Sequence, residues 1–327
     1  MPDPTFIPYG HQLIDDDDVA QVTAALRSGW LTTGPRVAEF EGRLASLVGA
    51  EHAIAVSNGT AALHAALHGL GIGPGDEVII PPMTFAATAN CVVYQGGTPV
   101  FADVDPETLL LDPDRVAEKI SPRTKAVICV DYAGQPCEYD RFREMARKEG
   151  FKLVSDGCHA LGAEFRGKMV GSLADLTVFS FHPVKHITTG EGGAVVTDDQ
   201  HLTEKMAKFR NHGIDSDFRQ REKDGSWSYT IVDLGFNYRL SDLQCALGIS
   251  QLAKLDRFLT RRIKIAKRYS QALTGMETIA PLAVLPDRKH AFHLYVVRID
   301  FSRLKHSRKD IFRQLHTLGI GVNVHYI

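Results

Sequence analysis

The sequence predicts an α/β protein with a mostly parallel sheet covered by helices on both faces, followed by a smaller C-terminal unit. Strand and helix patterns alternate from residue 50 to about residue 200, as in repeated β-α units. The run TKAVICVD (124–131) is continuously apolar, which is expected of a parallel strand buried on both faces. Beyond about residue 200 the pattern changes to longer helical segments, one of them rich in Lys and Arg.

The elements of the large unit follow from local patterns. The acidic run 15–18 precedes a helix over 19–26, because carboxylates stabilise the N-terminus of a helix. Asp112 opens another helix, with Pro113 suited to its first turn. Strands are predicted over 53–57, 78–80, 99–102, 124–131, 151–156, 176–181 and 193–197. The other helices are predicted over 61–70, 84–95 and 138–149.

The last third of the chain predicts a second, smaller unit. Beyond about residue 200, helices are expected over 201–211, over 241–273 and from Ser307 to Gly319, and strands over 293–300 and 321–327. We therefore expect a large domain over 1–240, including the N-terminal segment. Residues 241–327 would hold the long helix and the start of a small α/β domain. Because a fold does not normally stop one strand into a small sheet, this second domain reads as incomplete.

Composition and charge exclude several classes of protein. The 327 residues include 37 Lys and Arg against 39 Asp and Glu, so the basic excess of a nucleic-acid-binding protein is missing. None of the five cysteines forms a Cys-x-x-Cys pair, which argues against a disulfide framework and a zinc site. No apolar run approaches the ~18 residues of a membrane helix, and no secretory signal is recognisable. We expect a cytoplasmic protein without a metal.

Four polar segments follow strands, at the edge where open α/β sheets bind ligands. Residues 57–60 (SNGT) join a strand to a helix, so their backbone N–H groups and the helix dipole can hold an anion. A helix cap without a ligand is the commoner meaning of such a segment. The turn 188–193 lacks the Gly-x-Gly-x-x-Gly and Gly-Lys-Ser/Thr patterns, which argues against a dinucleotide site and a P-loop. The fourth segment is 235–239.

The second segment ends at Asp156 and the third holds Lys185, and these two residues suggest a cofactor. Asp156 ends strand 151–156, where a carboxylate can stabilise a cationic ring nitrogen or simply cap the next segment. Lys185 follows strand 176–181, where a lysine is usually solvated but can lose its proton and form a Schiff base when buried. An anion site, an acid and a lysine, in this order, are the three anchors of pyridoxal phosphate (PLP).

The segments that carry these residues resemble fold-type-I PLP enzymes, and more closely the DegT/DnrJ/EryC1/StrS sugar aminotransferases. The similarity covers nearly the whole chain in the same order. Its motifs are SGWLTTGPRVAEFE (28–41), SNGTAAL (57–63), PPMTFAATAN (81–90), VSDGCHALGA (154–163), FSFHPVKHITTGEGGAV (179–195) and GFNYRLSDLQCALGISQL (235–252). The resemblance implies an aspartate aminotransferase-like fold, PLP as cofactor, and a homodimer with shared active sites.

The resemblance also implies roles for individual residues. Lys185 would bond to PLP and later carry a proton between cofactor and substrate, and Asp156 would pair with the pyridine nitrogen. Phe85 would stack on the ring and His159 would lie beside it. The phosphate contacts would come from Gly59, Thr60, Ser180 and, in the neighbouring subunit, Asn237. The residues expected on the substrate side are Trp30, Thr32, Thr33, Arg239 and His325.

The substrate expectation rests on resemblance alone. The segment FHPVKHITTGEGG (181–193) is most similar to the UDP-4-amino-4,6-dideoxy-N-acetyl-β-L-altrosamine transaminases of pseudaminic acid biosynthesis. The expected reaction moves an amino group from L-glutamate to C4 of UDP-2-acetamido-2,6-dideoxy-β-L-arabino-4-hexulose. One alternative is another nucleotide-linked keto sugar, such as a dTDP-linked one. A second is a non-catalytic PLP-binding regulatory protein, although such a protein has no need of the proton carrier Lys185.

Overall fold

A computed structural model of the chain describes residues 6–216, 221, 223 and 225–326. Its strands, in chain order, are β1 (His52–Val56), β2 (Glu77–Ile80), β3 (Thr98–Phe101), β4 (Thr124–Val130), β5 (Lys152–Asp156), β6 (Glu164–Phe165), β7 (Lys168–Met169), β8 (Leu176–Ser180), β9 (Gly193–Thr197), β10 (Ile279–Pro281), β11 (Arg288–Lys289) and β12 (Val297–Ile299). Its helices are α1 (Asp16–Arg27), α2 (Pro35–Val48), α3 (Gly59–Gly69), α4 (Ala86–Tyr94), α5 (Pro113–Ala117), α6 (Tyr139–Glu149), α7 (Gln200–Phe209), α8 (Asp242–Leu252), α9 (Leu255–Leu273) and α10 (Arg308–Thr317).

The main sheet has seven strands in the order β1-β9-β8-β5-β4-β2-β3. Strands β8, β5, β4, β2 and β3 pair in parallel, whereas β9 pairs antiparallel with both of its neighbours. All seven strands were predicted from the sequence, because each is a short apolar run bounded by turn residues. Small antiparallel sheets of β11-β6-β7 and β10-β12 lie outside it.

The main sheet is buried on both faces, as its apolar strands predicted. Along β4, Val127 and Cys129 belong to one hydrophobic core, while Ala126 and Ile128 belong to a second. This alternation follows from the two-residue period of a strand. Residues of α2, α6 and α8 contribute to the first core, and residues of α3, α4 and α7 to the second. The fold is therefore a three-layer α/β arrangement, with the carboxyl ends of its parallel strands at one edge.

The prediction of one long helix over 241–273 is wrong, because α8 ends at Leu252 and α9 begins at Leu255. The N-terminal segment holds the chain at this break. Gln251 Nε2 donates to the carbonyl of Leu13 at 2.9 Å and to Asp18 Oδ2 at 2.8 Å. The ammonium of Lys254 pairs with Asp18 Oδ1 at 2.9 Å. These partners are more than 200 residues away, so the helical pattern of 241–273 does not reveal them.

The C-terminal predictions are confirmed only in part. Ser307 caps α10 as expected, and Gly319 follows its end with a φ of 78°. The strand predicted over 293–300 is reduced to β12, and the one predicted over 321–327 does not form within 321–326, with Ile327 outside the described residues. Instead, the backbone at Gly321 donates to the carbonyl of Ile7 at 2.7 Å, so the N-terminal segment takes up this backbone hydrogen bond.

Within the described part of the chain, no helix is both long and apolar enough to cross a bilayer. The division into domains at residue 240 stays a prediction. Helix α8, at the start of the predicted second domain, packs against α1 and α2 of the predicted large domain, whereas α9 packs on β10.

Candidate active site

The N-terminus of α3 forms a cradle for an anion. Asn58 caps the helix, and its Oδ1 accepts from the N–H of Ala61 at 2.8 Å. The N–H groups of the first residues, Gly59 and Thr60, have no acceptor within the helix, as in any first helical turn. A Cβ atom on Gly59 would lie 2.9 Å from Cβ of Ser180, so glycine lets the end of β8 approach this helix. The cradle combines backbone N–H groups, a helix dipole and the hydroxyls of Thr60 and Ser180.

Asp156 ends β5 and is 7% exposed. Thr88 Oγ1 donates to its Oδ2 at 3.1 Å, and the N–H of Cys158 donates to its Oδ1 at 3.2 Å. Thr88 in turn contacts the hydroxyl of Thr84 at 2.7 Å. These contacts hold the carboxylate at the edge of the sheet while it still lines the cavity described below.

Lys185 follows β8 in a loop, where its N–H donates to the carbonyl of His182 at 2.9 Å. Burial lowers the pKa of its amine, although the nearby Cys158 and Asp156 oppose this shift. Within the described ranges its side chain forms no ion pair. The lowered pKa favours the neutral amine, the form that can attack a carbonyl group.

These three features open into one cavity of about 1190 Å³. Seven of the eight predicted cofactor residues line it, and so does one predicted substrate residue. They are Gly59, Thr60, Phe85, Asp156, His159, Ser180, Lys185 and His325. The side chain of Phe85, at the N-cap of α4, is 62% exposed and is therefore available to stack on a ligand.

The other predicted site residues do not line this cavity. Asn237 is exposed, and Arg239 donates to Asn211 Oδ1 at 2.8 Å. The segment with Trp30, Thr32 and Thr33 lies at the start of α8, where the carbonyl of Thr32 accepts from the N–H of Asp242 at 2.7 Å. Their roles remain predictions.

Several residues that line the cavity were missed by sequence reasoning. Tyr9 Oη lies 2.9 Å from His325 Nε2, and burial raises the pKa of this phenol to about 12. Tyr326 and His293 contribute further rings to the wall, and burial raises the pKa of Tyr326. They come from segments far from Lys185 in the chain, and no local motif marks them.

The donor set fits PLP. The cradle at α3 suits a phosphate, Asp156 supplies an anionic group at the end of β5, and Lys185 supplies an amine whose neutral form is favoured. The imidazoles of His159 and His293 are kept uncharged, because burial holds the pKa of each well below its usual value. The wall beside Lys185 can therefore form hydrogen bonds without adding charge.

This sheet, with its lysine and aspartate at the carboxyl edge of the strands, defines a PLP-dependent transferase of fold type I. The model of the DegT/DnrJ/EryC1/StrS aminotransferase family matches residues 12–327. The chain therefore belongs to this family and is a PLP-dependent aminotransferase.

Individual relatives agree with this assignment. The spore coat polysaccharide biosynthesis protein SpsC of Bacillus subtilis (strain 168) is 41% identical over 324 residues, which cover 98% of this chain and 83% of SpsC. Spr1654 of Streptococcus pneumoniae in its PMP form has a TM-score of 0.92 at 34% identity, covering 98% of this chain and 86% of that one. PseC of Helicobacter pylori, an aminotransferase involved in the biosynthesis of pseudoaminic acid, has a TM-score of 0.90 at 36% identity, covering 99% and 85%.

Proposed function

We propose that the protein transfers an amino group to a nucleotide-linked 4-keto-6-deoxy sugar, with L-glutamate as the donor and Lys185 as the residue that bonds to PLP. The convergence of the α3 cradle, Asp156 and Lys185 on one cavity carries this proposal. The polysaccharide-related name of SpsC and the similarity to PseC support a sugar as the acceptor.

The chain's own residues would act as follows. PLP, when bound, supplies a conjugated ring that accepts electrons from the substrate carbon. Asp156 keeps a negative charge beside the ring nitrogen, and Thr88 orients that carboxylate through its 3.1 Å hydrogen bond. The amine of Lys185 takes up a proton from one carbon and delivers it to another, as general base and then general acid. Its lowered pKa suits both directions.

Mapping the lysine tests this assignment. Borohydride reduction of the PLP-loaded protein, followed by peptide analysis, should place the label on Lys185. Lys185→Ala should bind PLP weakly and show no turnover. A label on any other lysine rejects the role.

We further propose a homodimer in which each subunit completes the other's site. Among the described residues that line the cavity, Lys185 is the one lysine and none is an arginine, although both glutamate and a nucleotide diphosphate are anionic. The segment next to Asn237 exposes large apolar side chains, with Trp227 90% and Leu234 73% exposed. A second copy could cover these side chains and add polar groups.

Subunit mixing tests the shared site. Asn237→Ala and Lys185→Ala subunits, each inactive or weak alone, should partly restore activity when combined, since one hybrid site keeps both residues. Mixed dimers that form, as shown by mass spectrometry, but stay inactive contradict sharing.

The specific sugar is proposed as UDP-2-acetamido-2,6-dideoxy-β-L-arabino-4-hexulose, aminated at C4. The support is the similarity of residues 181–193 to enzymes of pseudaminic acid biosynthesis and the likeness to PseC. Amination of this compound should exceed that of its dTDP-linked and D-gluco counterparts. A clear preference for either counterpart rejects the sugar assignment but leaves the aminotransferase intact.

The alternatives make different predictions. A dTDP-linked keto sugar would be favoured in the same substrate panel. A regulatory PLP-binding protein would keep its yellow colour when an amino donor is added, whereas an aminotransferase loses it. A cytoplasmic location also stays a prediction.

A further inference from the structure

A row of buried histidines lies beside Lys185. The ring centroids of His159 and His293 are 4.4 Å apart, and those of His186 and His293 are 5.6 Å apart. All three side chains are at most 7% exposed, and His159 and His293 line the cavity. Three imidazoles so close together and so deeply buried are an unusual choice for a hydrophobic core.

The loop 290–294, which carries His293, is hydrogen-bonded to residues 133–134, and both segments contain strained backbone. Ala133 has a φ of 58° and Phe292 a φ of 46°, both in the left-handed region. At Gly134, any Cβ would lie within 3.1 Å of the backbone nitrogens of Phe292 and His293. Arg262 Nη1 donates to the carbonyls of Phe292 and His293, each at 3.2 Å. Strain of this kind persists only where the surrounding structure enforces it, and it concentrates at functional sites.

The hydrogen-bond partners indicate which ring nitrogens carry the protons. His186 Nε2 lies 3.2 Å from the carbonyl of Ala291, so this nitrogen carries the proton. The Nδ1 atoms of His159 and His293 are buried and have no partner among the described residues. Since a buried N–H without an acceptor is more costly than an unprotonated nitrogen in an apolar contact, their protons belong on Nε2.

We propose that His293 is a positioning residue that seals the Nδ1 side of His159 from water, and so holds His159 as a neutral imidazole with its proton on Nε2. In this form His159 presents an N–H donor to the cavity and adds no charge beside Lys185. The inference rests on the proposed function, in which His159 lies next to the cofactor.

The charges around the pair favour the same state. Burial is the main cause that lowers the pKa of His159. The nearby basic groups of Lys185, His186 and His325 lower it further. Burial likewise is the main cause that lowers the pKa of His293. It is lowered further by the nearby basic groups of His159, Lys185, His186 and Arg262. Tyr132 also faces His159, with ring centroids 6.2 Å apart, and Asp156 precedes it by three residues. If His293 is shortened, water reaches Nδ1 of His159, and the burial that suppresses protonation is lost.

Ring-nitrogen NMR of PLP-loaded protein labelled with ¹⁵N-histidine tests this role. The His159 signal is assigned by its loss in His159→Gln. In the wild type it should report the Nε2–H form throughout, without a protonation step down to about pH 5.5. His293→Ala should add a protonation step near the ordinary histidine pKa of about 6.5, and His293→Phe, which keeps a flat ring, should not.

His290→Ala is the matched control. His290 is 8% exposed, lies in the same loop and stacks on Phe292, but it does not line the cavity. It should lower thermal stability without changing the His159 titration. No added step in His293→Ala, or the same step in His293→Phe or His290→Ala, overturns the proposal. If His293→Ala fails to fold, His293→Ser gives the same comparison. The His159 signals do not depend on turnover, so a failed lysine assignment is recognised separately.

Discussion

Two aspartates lie at the carboxyl ends of neighbouring strands of the main sheet, and their surroundings differ sharply. Asp131 follows β4 and is fully buried, and its carboxylate is hydrogen-bonded to groups of the protein. Its carboxylate accepts from the hydroxyls of Tyr139 at 2.6 Å and Ser155 at 2.8 Å, and from the N–H of Cys137 at 2.8 Å. Asp156 accepts from two donors and lines the cavity.

The backbone joins the two positions, since the N–H of Asp131 donates to the carbonyl of Asp156 at 3.1 Å. Their side chains nevertheless serve different purposes. A carboxylate whose acceptor positions are filled by protein donors stabilises the fold, whereas one that still faces a cavity can bind a ligand. We therefore expect substitutions of Asp156 to reduce activity and substitutions of Asp131 to reduce stability.

Within this comparison of the two aspartates, the largest effect should come from Asp156→Asn. It removes the negative charge that we propose lies beside the ring nitrogen of PLP, but keeps the shape of the side chain. Activity should therefore fall by about 100-fold or more, the scale of losing one preorganised electrostatic contact. The thermal unfolding midpoint should stay close to that of the wild type. Steady-state kinetics and calorimetry on the same preparation check both statements. Full activity in this variant contradicts the role given to Asp156.

Asp131→Asn should have the opposite effect. An amide cannot accept from all three donors, so the variant should lose about 2 kcal/mol of stability, typical of a buried hydrogen bond to a charged group. Turnover per folded molecule should remain near that of the wild type. Urea unfolding and kinetics below the transition measure the two quantities. A loss of activity at unchanged stability would place Asp131 in the active site and remove the distinction.

The sequence predicts the wall of the cavity that holds Asp156, Lys185 and the α3 cradle, because each of these features follows from a local sequence pattern. Asp156 and Lys185 each follow a short apolar run, and the SNGT segment joins a strand to a helix. Such patterns survive folding, since the sheet brings the carboxyl ends of parallel strands to one edge. The sequence does not distinguish Asp131 from Asp156, however, because both follow buried strands and their partners come from other elements.

The opposite wall of the cavity was not predictable from local patterns. Tyr9 reaches His325 across 316 residues of the chain, and His293 meets His159 across a loop held by positive-φ residues. The segment 321–326 has the alternating pattern of a strand, yet it forms none, and the N–H of Gly321 donates to the carbonyl of Ile7 in the N-terminal segment. Tertiary contacts override local preference at these positions, as is common for β-propensity.

The pH dependence of stability should sharpen the comparison further. Burial raises the pKa of Asp131 from its usual 3.8 to about 6. A carboxyl group whose pKa is raised in the folded state contributes stability that is fully present at a pH below its pKa in the unfolded chain. This contribution is lost as the pH rises through about 6. The stability difference between the wild type and Asp131→Asn should therefore be larger at pH 5 than at pH 8, by about 1 kcal/mol. Urea unfolding at both pH values measures it, and the histidine contributions common to both proteins cancel. An equal difference at both pH values would contradict the raised pKa.

The smallest expected effect concerns Thr88, which holds Asp156 on the cavity side. Thr88→Val keeps the shape of the side chain but removes the hydroxyl that donates to Asp156 Oδ2 at 3.1 Å. Losing one such hydrogen bond, about 1 kcal/mol, should lower kcat about fivefold, because the carboxylate is less well oriented. Thr177→Val is the matched control, since the hydroxyl of Thr177 is also buried but has no partner among the described residues. It should leave kcat unchanged. An equal decrease in both variants would show that kcat responds to general changes in the core rather than to the orientation of Asp156.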